Sequence, residues 1–375
     1  MGIIIREVKT NKDLEKFIRF KYTLYKKNKY AAPPLFMDDR LNLRRDLNPA
    51  FKFCEAAYFL AYKDDKIVGR VAAIINPVAN EKWGVKHVRF GFIDFIDDEE
   101  ISRALLETVE NWGESKGMNA IHGPLGFTDL DHEGMLVEGF DKKGTLATIY
   151  NYPYYPVHME KHGYVKDNDW VEYLITVPEV FPEKYFRIAE IIKQKYNLTP
   201  KRFKSKKELV KKYGKKVFEL INESYKDLYG YSVLNEEQIH FYIKLYLTFI
   251  RLDAISIIID NNDDVIALGI SIPSLTNALQ KAKGKLFPFG WFYLLKALYY
   301  KNDTIDLYLM AVRPDYQNKG VNSIMFAELM PNYAKNGYKH AESNPELEDN
   351  TKMSAQWGSF EYVQHKRRRA YTKKI

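Results

Sequence analysis

A chain of 375 residues with 46% hydrophobic residues, a net charge of +8 and a single cysteine already excludes several classes. The length suffices for two ordinary domains or one large one, and the apolar share for a sizeable core. Cys54 alone rules out an internal disulfide and a cysteine-built zinc cluster, and it fits a reducing compartment.

Met1–Thr10 lacks the charged-then-apolar pattern of a leader, and Ile3–Ile5 followed by Arg6 and Glu7 reads as a first strand. The most apolar run, Leu286–Tyr300, is broken by Pro288, Gly290 and Lys296 and is too short to span a bilayer. A soluble cytoplasmic protein with no membrane span is therefore expected.

Residues 11–30 read as a helix, with Leu14, Phe17, Ile18 and Tyr22 near a 3.6 period and Thr10 or Asn11 as cap; Pro33 and Pro34 end the unit. Tyr58–Tyr62 and Ile67–Ile75 read as strands about a turn at Lys63–Lys66, and His87–Phe95 as a third. Asp97, Asp98, Glu99 and Glu100 open a helix that runs to about Lys116 and stops at Gly117, acids suiting the positive end of the helix dipole. Ala120–Asp141 is rich in turn residues and crowds Thr128, Asp129, Asp131, His132 and Glu133 together. That spacing is not the twelve-residue calcium loop, so a structured loop on the substrate side is expected rather than a metal site. Asn151–His158 reads as a loop in which Pro153 and Pro156 bar helix. Gly163–Thr176 reads as strands and 183–196 as a helix.

Helical periodicity returns at Val217–Leu228 and at Asn235–Arg251, where Asn235 and Gln238 form a capping-box pattern. Ala254–Ile259 and Val265–Ile272 read as strands. An aromatic insert, Leu275–Lys301, follows; its rings can wall an acyl or substrate pocket or pack as core against the other half.

The positive charge is concentrated. Lys201–Lys216 holds nine Lys or Arg against Glu208, and a second run closes the chain with Lys366, Arg367, Arg368, Arg369, Lys373 and Lys374. Such runs are solvated surface by default and attract polyanions when functional, whether coenzyme phosphates, nucleic acid or lipid.

The two halves echo each other. Residues 66–75 parallel 264–272, strand 87–95 parallels 304–312, the helix before Gly117 parallels the one before Gly337, and His122–Pro124 falls where Ala341–Pro345 falls. A duplicated domain is the reading, with a boundary in 177–205.

The stretch Leu307–Leu329 carries the chemistry. Strand-like residues run into a turn and then a helix, an order that aims backbone N–H groups at an anion. Val312, Pro314, Tyr316, Gln317, Gly320 and Val321 make V-x-P-x-Y-Q-x-x-G-V, which resembles the acyl-CoA-binding motif of the GNAT superfamily of N-acyltransferases. Asn322 stands where that motif has Gly or Ala, and Pro331 should kink the helix.

The resemblance implies that Gln317 shapes the turn, that Gly320 lets the backbone approach the pyrophosphate, and that N–H groups of Asn318, Lys319, Gly320, Val321 and Asn322 donate to it. It implies that Met310, Ala311 and Val312 meet the pantetheine amides. Asn344 follows a strand, and Asn350 falls where related enzymes place a coenzyme-contacting Asn. The Tyr that often protonates the leaving thiolate is replaced, the register putting Ser354 or Ala355 there. Glu342, at a strand end, is the candidate general base, with a surface carboxylate as the competing reading. The acids Asp97–Glu100 stand where the first half would need its glycine loop, so that half should bind no coenzyme.

The expectation is a mixed α/β chain of two tandem GNAT-like domains, each a mostly antiparallel twisted sheet flanked by helices. They run 1–178, degenerate and without a coenzyme loop, and 206–375, with acyl-CoA bound, joined by a helix and basic stretch at 179–205. The function expected is acyl transfer from acetyl-CoA or another acyl-CoA, without a metal, to a small-molecule or peptide amine. A tandem GNAT-like transferase using aminoacyl-tRNA and a non-catalytic acyl-CoA-binding protein are the competitors. Such tRNA-dependent enzymes generally lack the glycine loop, which disfavours nucleic acid as partner.

Overall fold

The computed structural model describes residues 2–247, 250–300, 302–350, 356–358 and 360–375. The first half runs β1 (Ile4–Glu7), α1 (Asn11–Leu24), α2 (Phe36–Leu43), β2 (Glu55–Lys63), β3 (Lys66–Ile75), α3 (Pro77–Trp83), β4 (His87–Phe95) and α4 (Glu99–Ser115). It continues with β5 (Ala120–Gly123), β6 (Met135–Glu138), α5 (Tyr154–Lys161) and β7 (Val165–Thr176). Helix α6 (Glu183–Tyr196) and a short β8 (Thr199–Pro200) lead into α7 (Lys206–Tyr225), α8 (Glu236–Tyr246), β9 (Ile255–Ile259) and β10 (Val265–Pro273). Then come α9 (Thr276–Ala282), α10 (Gly290–Tyr299), β11 (Thr304–Val312), α11 (Asn322–Lys335), β12 (His340–Ser343), β13 (Glu346–Leu347) and β14 (Tyr362–Lys374).

Among the described residues, all fourteen strands belong to one sheet. Its main path is β1-β2-β3-β4-β5-β14-β7-β12-β11-β10-β9-β8, with β6 on β14 and β13 on β7. The segments that echo each other in sequence take matching places: β3 and β10, then β4 and β11, then β5 and β12, with β4–β5 and β11–β12 both parallel. The last strand of the chain, β14, lies against β5, while β7 lies against β12. Between them β14 and β7 pair antiparallel from Tyr362↔Ile175 to Thr372↔Val165. Each half therefore lends its final strand to the other, and the join between halves is backbone-bonded.

Local chemistry explains most element ends. Thr10 caps α1 by accepting from Asp13 N, Asp98 caps α4 by accepting from Glu100 N, and Asn235 with Gln238 completes a capping box on α8. Helix α7 begins at Lys206, well before the apolar period at Val217, because Ser205 caps it and Glu208 sits in its first turn. Helix α11 continues past Pro331 to Lys335.

Two readings are corrected. Residues 154–161 form α5, not a loop: Pro153 is its N-cap and Pro156 lies in its first turn, where a backbone N–H has no intrahelical acceptor to lose. The closing basic run is not a solvated face. It is β14, and its charges interlock with the acids of neighbouring strands: Arg368 with Glu172 at 2.6 Å, Lys366 with Glu172 at 2.6 Å, and Arg369 with Asp169 at 2.8 Å. Lys366 and Arg368 are almost wholly buried. The other run, at the start of α7, is surface that pairs locally, Arg202 with Glu328 and Lys215 with Glu236.

Candidate functional site

Among the described residues, strand β11 is paired along one edge and open along part of the other. It pairs with β10 up to Val312, but with β12 only over Thr304–Leu307. Asn344 marks the parting: its N–H donates to the Leu307 oxygen at 3.3 Å and its side-chain amide to the Tyr308 oxygen at 2.5 Å. Arg313 N–H donates to Ile266 O on the β10 side at 2.9 Å. Peptide groups alternate along a strand, so those of Ala311 face β10 and those of Met310 and Val312 face the gap. Among the described residues their carbonyls there accept only from side chains. Tyr225 hydroxyl donates to Met310 O at 2.7 Å, and Ser224 and Gln317 donate to Val312 O at 3.1 and 3.2 Å.

The chain then turns through Pro314–Tyr316 and enters α11. Asn318 (φ 60°) and Gly320 (φ 76°) occupy the left-handed region, a conformation Gly adopts freely and Asn better than most residues. Ser323 and Ile324 N–H groups bond back to Gly320 O and Val321 O. The N–H groups of Asn318, Gly320, Val321 and Asn322 donate to no acceptor among the described residues. Lys319 lies over the rings of Tyr316 and Tyr196, 5.0 and 5.4 Å from their centroids. Helix α6 braces the turn: Ile192 would stand 3.4 Å from a Cβ at Gly320, and Ala189 packs with Val321, Ile324 and Met325. Free N–H groups at the start of a fourteen-residue helix, beside a lysine, suit an anion.

The other expected residues sit elsewhere. Glu342 lies on β12, opposite Asp306 and Leu174, with its carboxylate 2.5 Å from Lys366 Nζ and 3.3 Å from His365 Nε2. Burial pushes its pKa up, but Lys366 and His365 more than offset this and hold it below the ordinary carboxylate range. A carboxylate so neutralised is a weak proton acceptor. Asn350 closes a turn after β13, its N–H on Leu347 O at 3.0 Å. Ser354 and Ala355 lie outside the described residues.

Three other carboxylates, on β13 and on the loop between β5 and β6, have raised pKa values. Glu346, on β13, accepts from the indole N–H of Trp357 at 3.1 Å, and burial pushes its pKa up to about 7. Asp129 and Glu133, on the loop between β5 and β6, make no side-chain hydrogen bond or salt bridge among the described residues. Burial raises both, and the charge of Asp129 raises Glu133 further. Burial pushes the Tyr225 hydroxyl up, and the charges of Asp129 and Glu346, one from each half, add to that. The loop is held by Thr128, whose hydroxyl lies 2.8 Å from that of Tyr242 on α8. The crowding of polar residues at 128–133 signals this loop in the sequence; Glu346 sits in an acid-rich run where nothing singles it out.

The matching place in the first half is closed. The Asp98 carboxylate occupies the N-terminus of α4. Beyond His87–Arg89, where β4 leaves β5, Leu125 N–H bonds Phe90 O at 3.0 Å and a Cβ on Gly91 would strike the Leu125 oxygen. Tyr155 and Tyr154 hydroxyls take the N–H and carbonyl of Phe95.

No protein-family model matches the chain. Protein YghO of Escherichia coli (strain K12) is 26% identical to it over 379 residues, covering 99% of this chain and 95% of that protein. A bacterial ceramide synthase of Caulobacter vibrioides (strain NA1000 / CB15N) is 26% identical over 318 residues, covering 83% and 80%. Among solved structures, a tandem GNAT protein from the clavulanic acid biosynthesis pathway superposes with a TM-score of 0.56 at 11% identity, covering 100% of this chain and 98% of that one. The likeness to that structure is one of fold: this chain has a GNAT-like fold, twice in tandem.

Proposed function

We propose that the chain is an acyl-CoA-dependent N-acyltransferase whose halves, 1–178 and 206–375 about the 179–205 segment, build one site. The observation that carries the reading is the open edge of β11, with the peptide groups of Met310 and Val312 turned into the gap. Their N–H and C=O groups are the complement of the two amides of pantetheine. The four N–H groups without acceptors at Asn318–Asn322, with Lys319, would take the pyrophosphate that follows pantetheine in the coenzyme.

In this reading the free amine attacks the thioester carbonyl carbon. The C–N bond forms, the C–S bond breaks, and its electron pair leaves on sulfur. The amine gives up a proton and the thiolate gains one, so acyl-CoA and amine become amide and CoA thiol. Glu346, at about 7, is the better-tuned base than Glu342, because half of it is ionised at neutral pH. A backbone N–H of the Val312 region that pantetheine leaves free would stabilise the developing oxyanion. Asp129 and Glu133, without hydrogen-bond partners among the described residues, are free to bond a polar amine acceptor.

The Caulobacter relative is named a ceramide synthase, and a ceramide is an amide of a fatty acid with a long-chain amino alcohol. The acceptor panel therefore runs from small and peptide amines to long-chain amino alcohols, and the donors from acetyl- to palmitoyl-CoA. Titration calorimetry with these donors and with aminoacyl-tRNA, followed by turnover assays, tests the reading. Failure of every acyl-CoA to bind overturns it. Binding without turnover across the panel reduces it to coenzyme binding alone, and turnover only with aminoacyl-tRNA replaces the donor.

A further inference from the structure

Between Ser274 and Asn302 the chain has five lysines and no acid. This segment joins the end of β10 to the start of β11 and folds into α9 and α10. Its packed side is modest: Leu275, Leu279, Ala282 and Leu298 bury against Ile272, Ala32 and Leu35. Its aromatic side is left exposed. Phe287 is 72% exposed, Phe289 65%, Trp291 43%, Phe292 50%, Leu295 44% and Tyr299 53%. The four on α10 fall at spacings of one, three and four residues, a single stripe flanked by the packed Leu294, Ala297 and Leu298. A surface helix ordinarily turns such a stripe inward, and a contiguous exposed apolar patch marks an interaction site. The indole N–H of Trp291 is already bonded to Pro288 O at 2.8 Å, so its ring can leave water without losing a partner.

Cations ring the patch. Lys281, Lys283, Lys285 and Lys296 are exposed and form no salt bridge among the described residues. Two lysines of the first half adjoin α9: Lys29 O accepts from Gln280 at 2.8 Å, and Lys143 Nζ donates to Asn277 Oδ1 at 2.7 Å. A second copy docked on this face through a two-fold axis would set lysines against lysines. An anionic plane meets both the charge and the aromatics.

We infer that the α9–α10 hairpin docks the protein on the surface of an anionic lipid bilayer, with the aromatic stripe at the headgroup–acyl boundary and the lysines at the phosphates. Ten residues of α10 reach only about 15 Å, so the helix lies in the interface rather than across it. The hairpin sits at the start of β11 and the candidate coenzyme turn at its end, roughly 25 Å away along the strand. The inference is independent of the acyl-transfer reading.

Sedimentation of the full chain with phosphatidylcholine vesicles, with and without phosphatidylglycerol, tests it. The wild type should pellet with the phosphatidylglycerol vesicles, and added salt should weaken this. The pair Phe289→Ser and Phe292→Ser, and separately the pair Lys283→Glu and Lys285→Glu, should each lower the bound fraction about tenfold or more. Both pairs lie on exposed side chains, and unchanged thermal unfolding confirms the fold. Three results would overturn the inference: a wild type that stays in the supernatant with both vesicle types, binding that neither pair weakens, or lipid-free dimerisation that the Phe pair abolishes. Acyl-CoA titration of the same variants reads the far site separately, so one failure is not mistaken for the other.

Discussion

The Tyr225 hydroxyl donates at 2.7 Å to the Met310 carbonyl oxygen, which no strand among the described residues pairs. A side chain of α7 thus holds the place on β11 where a further strand, or a ligand amide, would bond. If pantetheine takes that carbonyl, it displaces the hydroxyl. Tyr225→Phe should then cost the free protein about 1 kcal/mol, the net worth of one hydrogen bond, while leaving acyl-CoA affinity equal or tighter. Chemical denaturation and calorimetry read the two effects. A tenfold loss of affinity would instead make Tyr225 a ligand of the coenzyme.

Gly320 tests the turn. Its φ of 76° costs a side chain about 1 kcal/mol, and the nearest atom to an added Cβ is Ile192 Cδ1 at 3.4 Å, ordinary contact. Gly320→Ala should therefore fold with a small loss of stability and bind acyl-CoA a few-fold more weakly. Gly320→Glu should fold as well but place a negative charge among the unpaired N–H groups and abolish coenzyme binding. Circular dichroism checks the fold and calorimetry the affinity; unchanged affinity in the Glu variant moves the site off this turn.

Much of this architecture is legible in residues. The strand pair about Lys63–Lys66, the cap at Asn235, the stop at Gly117 and the echo of β3–β5 in β10–β12 all rest on local pattern, and local pattern is what a sequence displays. Position within the helix decided α5, since Pro153 and Pro156 are compatible with a first turn and barred only from later ones. The exchange of β7 and β14 was not legible, because strand order is a long-range matter. For the same reason Lys366 and Arg368 looked like solvated charge: their partner Glu172 lies almost two hundred residues away. The site divides likewise. The turn at Gln317–Gly320 is contiguous and could be read; the bond from Tyr225 on α7 to Met310 O joins segments 85 residues apart.

Glu346 gives a pH prediction. With its carboxyl raised to about 7 by burial, a base role makes the rate rise with pH through that value. Glu346→Gln should lower kcat/KM by roughly 10²- to 10⁴-fold and remove that limb of the profile. The stability sign is opposite. A carboxyl raised on folding ionises first in the unfolded chain, so stability is lost as pH climbs from about 4.5 toward 7, and Glu346→Gln should flatten that loss. A variant that keeps both the alkaline rise and the wild-type rate excludes the role. Glu342→Gln, which frees Lys366 of one partner, should act chiefly on stability.

The Glu172, Glu342, Lys366 and Arg368 cluster sets how the two halves stay joined in acid. Glu172 is wholly buried between Arg368 and Lys366. Burial alone would raise its pKa, yet the two cations outweigh it and hold the carboxyl down to about 2. Asp306 nearby goes the other way: burial and the Glu342 charge keep it well above its ordinary value, so it adds no third negative charge. A depressed carboxyl stabilises the fold fully above its unfolded value of about 4.5 and loses that contribution as pH falls toward 2. The loss amounts to about 3 kcal/mol over that window. Lys366→Met should cost about 3–5 kcal/mol at neutral pH, because it strands Glu172 and Glu342 with one cation fewer, and should make the variant less sensitive to acid than the wild type. Urea unfolding across this range measures both slopes. A wild type whose stability stays level from pH 5 to 2 would mean that these ions are solvated in practice and that the β7–β14 ladder alone holds the halves together.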